Sequence, residues 1–292
     1  MPTPSQQSPQ IDYRFTPSQL DAYQDLLDAE YLWWQFWGGS EEPAKSVEEF
    51  TAECEKKLID MINRCPKEPI EVADRGTAVN EVVDMLIHRR KCEIEGMSVE
   101  PPCEEHPLSV KVDYNGFSWQ FSTDFLSVFK RFPGAISQYL CGAPLQTRKG
   151  SVWLYGYLDE WCGNKISDLK TTKQYSFGKY ERKWQKHVYP YAIVESGDCT
   201  EITEFEYTAI KLSGPTEKNP IIYGEICPEV YTYDHEQSRR LLQYHCESFI
   251  DWLTHRREFI TDAKIFGGEN PPGYVGIPVN IDLLLPEDDQ KI

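Results

Sequence analysis

The sequence predicts an α/β fold in which helices flank one central mixed β-sheet. Helix signals fill roughly the first ninety residues, strand signals with hairpin turns follow to about residue 170, and helical and strand patterns then alternate. This order is typical of a mixed sheet covered by helices. With 292 residues, 40% of them hydrophobic and 13% aromatic, the chain is long and apolar enough to bury one sizeable core.

The first helices are predicted from their capping residues. Thr16 is followed by a proline and then by Gln19, which is the capping-box pattern with proline at the first helical position. This helix is expected to run to about Trp37, and Ser46 opens a second helix in the same way. The aromatic residues at the end of the first helix are expected in the core, although an exposed cluster would stack nucleic-acid bases. They are Tyr31, Trp33, Trp34, Phe36 and Trp37.

The middle of the chain carries strand and turn signals. Asn115-Gly116 lies between two strand-like runs and is a strong hairpin signal. Before it, Val79 and Val83 belong to the apolar stripe of a helix that contains Gly76. The remaining elements are predicted in chain order: a short helix over 124–132, strands over 143–147, 152–161 and 165–169, a helix over 176–195 in which Pro190 makes a kink or an end near Tyr189, strands over 202–212 and 221–226, and a capped helix over 235–258.

A second predicted hairpin brings acidic side chains together. If Gly163 and Asn164 form its two-residue loop, Asp159 faces Asp168, and strand alternation places Lys170 on the same face as Asp168. Two carboxylates in opposed positions begin only about 5 Å apart and repel each other. A hard divalent cation such as Mg²⁺ between them would relieve that repulsion. The alternative is a surface hairpin whose charges point into water.

The segment after this hairpin favours the metal site. Gln185 and Tyr189 are four residues apart on the next predicted helix and therefore share a face. The series G-x-x-D, D-x-K-T and Q-x-x-x-Y resembles the signature of the RecB-like branch of the PD-(D/E)XK nuclease superfamily. Residues 75–81 are similar to that branch's G-x-x-x-H-E helix, and residues 15–23 to its opening S-x-S-x-L-x-x-Y segment. The resemblance covers roughly residues 13–212.

The resemblance implies a restriction-endonuclease-like core with extra N- and C-terminal helices. We expect a single nuclease-like domain over residues 13–266, between a disordered leader (1–12) and an irregular tail (267–292). The implied activity is that of a metal-dependent DNA nuclease of the exonuclease type. It would hydrolyse phosphodiester bonds in DNA repair, recombination or phage DNA processing.

The resemblance also implies a role for each site residue. Lys170 would orient or deprotonate the attacking water and offset charge in the transition state, and Gln185 and Tyr189 would position the strand or support Lys170. The expected ligands of Mg²⁺ or Mn²⁺ are the carboxylates of Asp159 and Asp168, the Leu169 carbonyl, and either Asn80 or Glu81.

Two departures from the family pattern concern metals. Asn80 stands where the family usually has a histidine, and its amide oxygen suits a hard cation better than a soft one. Some family members hold an iron–sulfur cluster through one early cysteine and a late cysteine cluster. Here the early position falls near Asp25 and no late C-x-x-C follows, so we expect no iron–sulfur cluster.

The charge distribution is uneven. The whole chain has a net charge of -17, whereas residues 148–186 contain nine cations and only four acids. A local basic patch on an acidic body is expected to bind DNA weakly and with steep salt dependence, with help from a partner recombination or replication protein. The predicted nucleic-acid-binding residues are Arg148, Lys149, Lys173, Lys179, Arg182, Lys183 and Lys186.

The remaining features of the sequence indicate the compartment in which the protein is expected. The nine cysteines lack the spacing of a disulfide framework or a zinc site, which favours free thiols in a reducing cytoplasm. We expect no membrane span and no signal peptide. Two other functions stay open: a nuclease fold that has lost catalysis and binds nucleic acid or protein, and an acidic protein that mimics DNA and occupies a nucleic-acid-binding partner.

Overall fold

The helices and strands alternate as the sequence predicts. The computed structural model describes residues 11–66 and 68–267. Its strands and α-helices in chain order are β1 (Tyr13–Phe15), α1 (Pro17–Leu27), α2 (Ala29–Trp37), α3 (Val47–Ile62), α4 (Glu71–His88), β2 (Ser98–Glu100), β3 (Ser109–Tyr114), β4 (Phe117–Ser122), α5 (Thr123–Leu126), β5 (Ile136–Thr147), β6 (Gly150–Cys162), β7 (Lys165–Thr172), α6 (Gln185–Ser196), β8 (Glu204–Ser213), β9 (Ile221–Thr232) and α7 (His235–His255).

The capping residues fix where α1 and α3 begin. Thr16 Oγ1 accepts a hydrogen bond from the Gln19 amide and Gln19 Oε1 accepts one from the Thr16 amide, so both halves of the capping box form. Ser46 and Glu49 make the same reciprocal pair before α3. The helix predicted to reach Trp37 is divided, because Asp28 leaves the helical conformation at φ -95° and ψ 8°.

The sheet is mixed and nine-stranded. Its strand order is β1-β6-β7-β8-β9-β4-β3-β2, with β5 on the other edge of β6. Pairs β7–β8, β4–β9 and β1–β6 are parallel, and the other neighbours are antiparallel. The fold is therefore α/β with a central mixed sheet flanked by helices.

Strand β6 is paired only in part along the edge that faces β7. Near its start, Val152 to Leu154 pair with β1, and near its end Glu160 to Cys162 pair with β7 across the Gly163-Asn164 turn. Between these stretches, β6 has no strand partner on this edge among the described residues. The predicted turn and the Trp161–Ile166 pair are confirmed, but the ladder stops at Glu160–Ser167, one pair short of Asp159 and Asp168.

Helices cover both faces of the sheet. One core packs α1, α3, α6 and α7 against the sheet and includes Phe15, Leu20 and Phe249. The other packs α4 and α5 against the opposite face, and it includes Val79, Phe121 and Leu169. Since Leu169 faces the α4 side, strand alternation turns Asp168 and Lys170 towards the side of α1 and α6.

Helix α6 is shorter at its start than predicted. The prediction began the helix at Ser176, but Gly178 adopts a left-handed φ of 81° and the chain turns before Gln185. Of the two effects predicted for Pro190, an end near Tyr189 is excluded, because α6 continues through Pro190 to Ser196, close to the predicted bound at residue 195.

The chain ends were predicted as a leader and a tail. Ile11 is buried, and Asp12 exchanges hydrogen bonds with Ser151, its amide donating to the Ser151 carbonyl and its Oδ2 accepting from the Ser151 amide. These two residues therefore belong to the folded structure. Residues 1–10 of the predicted leader and 268–292 of the predicted tail lie outside the described residues.

In the stretches 11–66 and 68–267, no helix is long and apolar enough to cross a membrane.

The open edge of β6 admits a close contact at Gly156. A Cβ atom there would lie 3.0 Å from Tyr189 Cε1 and 3.2 Å from Pro17 Cδ, which is too close for either group to remain in place. Gly156 therefore lets α6 and the start of α1 approach the strand that carries Asp159.

We predict that Gly156→Ala lowers the free energy of unfolding by about 1 to 3 kcal/mol, because the added methyl group overpacks this contact. Denaturant unfolding followed by circular dichroism measures the change. Gly39→Ala is the matched control, since a Cβ atom at Gly39 meets nothing within 4 Å. Equal stabilities for the two variants would contradict the assigned contact.

Candidate functional site

Asp159 and Asp168 meet where β6 and β7 diverge. Asp168 is buried and Asp159 is half-buried. The Leu169 amide is not used by the β6–β7 ladder and donates to Asp159 Oδ2 at 2.8 Å. This bond ties the carboxylate of one strand to the backbone of the other. The structure thus brings together the two acids that the hairpin predicted, through a side chain instead of a backbone pair.

Lys170 and Gln185 hold the Asp168 carboxylate. The Lys170 ammonium forms an ion pair with Asp168 Oδ2, and Gln185 Nε2 donates to Asp168 Oδ1 at 2.8 Å. Gln185 is the first residue of α6, and its side chain is buried. Lys170 is more open, since 29% of its side chain is exposed.

Burial perturbs the charges of this group. Burial, and then the negative charge of Asp168, raise the pKa of Asp159 to about 7. Burial also raises the pKa of Asp168, against the opposing effects of Lys170 and Gln185. For Lys170, burial lowers the pKa, but the attraction of Asp168 and Asp159 outweighs it and the net shift is upward. Lys170 therefore keeps its proton at neutral pH.

Asn80 is the α4 residue that reaches the two acids. Its side chain is half-buried, and its Nδ2 lies 3.5 Å from Asp159 Oδ2. Gly76, one turn earlier, packs near β7, since a Cβ atom there would lie 3.1 Å from Thr171 Oγ1. Gly76, the glycine of the family-like helix motif, thus allows α4 to lie close to β7, and this sets how near Asn80 comes to the two acids.

Glu81, the alternative ligand, is engaged elsewhere. Its carboxylate accepts two hydrogen bonds from Arg90, at 2.6 and 2.9 Å, and one from the Glu93 amide at 2.7 Å. Burial raises its pKa, but the Arg90 and Glu93 donors outweigh that effect and hold the pKa below its usual value. The structure does not bring Glu81 to the site, and of this pair only Asn80 remains a candidate ligand.

Tyr189 lies behind the acidic pair. It is buried one turn after Gln185 and packs against Gly156 of β6. Burial and the charge of Asp168 raise its pKa far above the ordinary tyrosine value, so the phenol stays neutral. Its position fits a support for Gln185 better than a group that contacts a substrate directly.

The donor atoms of the site suit a hard divalent cation. They are carboxylate and amide oxygens, and Asp168 Oδ2 is a buried atom that accepts no hydrogen bond and faces only the Lys170 ammonium. In the described part of the chain, no three His, Cys, Asp or Glu side chains form a metal-ligating group. Mg²⁺ needs only one or two carboxylates together with waters and substrate oxygens, so Asp159 and Asp168 fit it.

The seven predicted nucleic-acid-binding cations are not one patch. Arg148 and Lys149 lie in the β5–β6 turn, about 30 Å of strand away from Asp159, so the structure does not bring them to the site. Lys173 is exposed, Lys179 donates to Thr172 and Gln174, and Lys186 lies over the Tyr231 ring. Ion pairs join the other four to acids: Arg148 to Glu247, Lys149 to Asp251, Arg182 to Asp28 and Lys183 to Asp25.

Asp21 is a site neighbour that the sequence reasoning missed. Its Oδ1 accepts a hydrogen bond from the Trp184 amide at 2.7 Å, immediately before Gln185. Burial raises its pKa to about 6, and the charges of Lys183 and Lys170 oppose that rise. The available signal was the spacing of Asp21, Asp25 and Asp28 along one helix face, opposite a cationic segment.

A second acidic pair, Asp84 and Glu160, also escaped the sequence reasoning. Both are buried, and Ser137 Oγ donates to Glu160 Oε2 at 2.6 Å. Burial, and then the hydrogen bond to Asp84, raise the pKa of Glu160 to about 9, against the opposing effect of Ser137. Glu160 is therefore protonated at neutral pH. Its position next to Asp159 in the sequence was the only local signal.

No protein-family model matches the chain, and no curated protein matches it at a significant level.

His245 helps to hold the start of α6. The Trp184 ring stacks on the His245 imidazole with centroids 3.9 Å apart and planes 11° from parallel. His245 Nε2 donates to the Leu20 carbonyl of α1 at 3.1 Å. Burial lowers the pKa of His245 to about 4, so the imidazole is neutral in the folded protein. Protonation would place a positive charge in this buried position beside the start of α6.

We predict that His245 makes the fold acid-sensitive. Its folded pKa of about 4 lies below the ordinary value of 6.5, so its stabilisation is complete above pH 6.5 and is lost as the pH falls towards 4. Between pH 7.5 and 5 the wild type should lose about 2 kcal/mol more unfolding free energy than His245→Phe. Urea unfolding at both pH values measures this difference. Parallel losses in the two proteins would contradict the assignment.

Proposed function

We propose that this protein is a metal-dependent DNA nuclease of the PD-(D/E)XK superfamily, with a restriction-endonuclease-like core and exonuclease-type activity. One observation carries the proposal: the buried Asp168 is held by Lys170 and Gln185 beside Asp159, in the gap between two diverging strands. A carboxylate buried next to a second, half-buried carboxylate destabilises the folded chain, and groups perturbed in this way cluster at functional sites.

A metal ion would balance the negative charge of these carboxylates and supply the chemistry of hydrolysis. A bound Mg²⁺ or Mn²⁺ would lower the pKa of a water molecule and offset charge on the phosphate. Asp159 and Asp168 would hold it, with the Leu169 carbonyl and the Asn80 amide oxygen as further oxygen donors. The fit rests on the all-oxygen donor set and on Asp168 Oδ2, which accepts no hydrogen bond.

Lys170 contributes positive charge. Since the two aspartates raise its pKa, it remains an ammonium group at neutral pH. In that state it donates hydrogen bonds to an attacking water or a phosphate oxygen and stabilises the negative charge that develops there. The deprotonating role that the sequence also allowed is less well supported, because a lysine base needs a lowered pKa.

Gln185 and Tyr189 hold other residues of the site in position. Gln185 fixes the orientation of Asp168 through its 2.8 Å hydrogen bond, which keeps Oδ2 facing Lys170. Tyr189 packs against Gly156 of β6, and it holds α6 at the depth where Gln185 can reach Asp168. Both are positioning residues in this proposal.

The charge pairing affects how DNA would bind. Because four of the seven predicted cations already have acidic partners, the surface attracts phosphates less than the sequence alone indicates. A partner recombination or replication protein that brings DNA to the site would compensate for this. Such a role is consistent with a cytoplasmic enzyme of DNA repair, recombination or phage DNA processing.

We predict that Asp168→Ala and Lys170→Ala each lower the rate of Mg²⁺-dependent cleavage of linear DNA at least about 100-fold, because each removes charge from the reacting centre. Release of acid-soluble nucleotides from double-stranded and single-stranded substrates, with Mg²⁺ or Mn²⁺, measures the rate.

Lys111→Ala is the control, since Lys111 is an ion-paired lysine of β3 and lies outside the site. It should cleave at the wild-type rate. A folded wild-type protein that cleaves no DNA with either metal would overturn the nuclease proposal. That result would favour a catalytically inactive binding module instead, with Asn80→His as the next variant to measure.

A further inference from the structure

A large groove lies beside the proposed site. It has a volume of about 1220 Å³ and runs between α1, α2 and α3 on one side and residues 174–183 on the other. Pockets for small molecules span roughly 300 to 1,000 Å³, so this groove suits an extended ligand better.

Aromatic rings line the groove and are exposed. Phe177 has 88% of its surface exposed, Phe36 has 66% and Tyr31 has 52%. The expectation that the aromatic end of the first helix lies in the core is wrong, because no residue from Glu30 to Trp37 is buried. Exposed aromatic side chains concentrated on one concave surface mark a binding site more often than a folding requirement.

The charges of the groove balance. Its walls carry four acidic side chains, Asp25, Asp28, Glu53 and Glu181, and four cations, Lys57, Lys179, Arg182 and Lys183. Arg182 lies over the Tyr31 ring, 5.3 Å from its centroid, and makes a 2.8 Å ion pair with Asp28. A ligand held here would gain most of its affinity from ring stacking, with the cations making local contacts to its backbone.

The groove is joined to the proposed site by the chain itself. Residues 174–183 form one wall of the groove, and they belong to the segment that connects the end of β7, which carries Lys170, to Gln185 at the start of α6. Next to the groove, Asp21 of α1 accepts a hydrogen bond from the Trp184 amide, and the charges of Lys183 and Lys170 act on its carboxylate. A polymer that places a phosphate at Lys170 would reach the groove along this segment.

We propose that the groove holds an unpaired strand of nucleic acid, whose bases stack on Tyr31, Phe36 and Phe177 while its phosphates contact Lys179 and compete with Asp28 and Asp25 for Arg182 and Lys183. This inference deepens the proposed nuclease function and rests on it for the direction in which the strand runs. Stacking on aromatic faces accepts every base, so the groove binds without sequence preference.

A strand fits these observations better than a protein partner. Bases need separate aromatic faces with cations near them, and the groove has rings on both walls, Tyr31 and Phe36 on one and Phe177 on the other, with Lys179 and Arg182 on the wall of Phe177. A protein interface of this area would have a contiguous apolar centre with few charges. Here eight charged side chains lie among the rings.

The test measures binding of a single strand under conditions that prevent cleavage. Fluorescence anisotropy with a labelled oligothymidylate of about 20 nucleotides, in EDTA, gives the Kd of wild type, Phe177→Ala and Tyr31→Ala. Each substitution should weaken binding about tenfold and leave the salt slope unchanged, because it removes a stacking face and no charge. Tyr244→Ala is the matched control, since Tyr244 is a 74% exposed tyrosine on α7, outside the groove.

The outcomes separate this inference from the nuclease proposal. Cleavage by the wild type, together with unchanged oligothymidylate binding by both groove variants, would overturn the inference and leave the nuclease standing. The aromatic residues would then belong to a protein interface. Loss of binding in both variants without any cleavage by the wild type would support the groove as a strand-binding site and overturn the nuclease. A wild type that neither binds nor cleaves would overturn both.

Discussion

The divergence of β6 and β7 is the constraint on which the site depends. The two strands pair only next to their turn, and beyond Glu160–Ser167 they separate, which leaves the Leu169 amide free to bind Asp159. If the ladder continued, that amide and the edge of β6 would be used for backbone pairing. Gly156 lies on the same open edge, so the opening that exposes Asp159 also admits Tyr189 and brings α6 close to the strand. A local failure of sheet pairing thus creates the space for chemistry.

The buried charges around this opening belong to two neighbouring groups that both contact α4. Asp159 lies beside Asp168, which contacts the Lys170 ammonium and the Gln185 amide, and Asn80 of α4 reaches Asp159. The next residue, Glu160, lies beside Asp84, one turn further along α4, and burial raises the pKa of Glu160 to about 9. Burial raises the pKa of Asp159 only to about 7, and the charge of Lys170 opposes that rise.

Local features of the fold could be predicted from the sequence, whereas the surroundings of the site could not. The capping box at Thr16 and the turn at Gly163 depend on neighbouring residues, so short patterns predict both. The partner of Lys183 is Asp25, 158 positions away, and no local rule connects them. The same limit applies to Tyr31: an aromatic residue is usually buried, but whether another element covers it depends on distant packing.

The segment between Thr172 and Gln185 has a mechanical consequence. Its twelve residues are attached at one end to the strand of Lys170 and at the other to the helix that orients Asp168. Asp168 and Lys170 lie two residues apart on β7, so a displacement of the segment would move both together at that end. At the other end it would move Gln185 and, through the Gln185 hydrogen bond, turn the Asp168 carboxylate relative to its strand. The orientation of Asp168 is therefore coupled to the position of the groove wall.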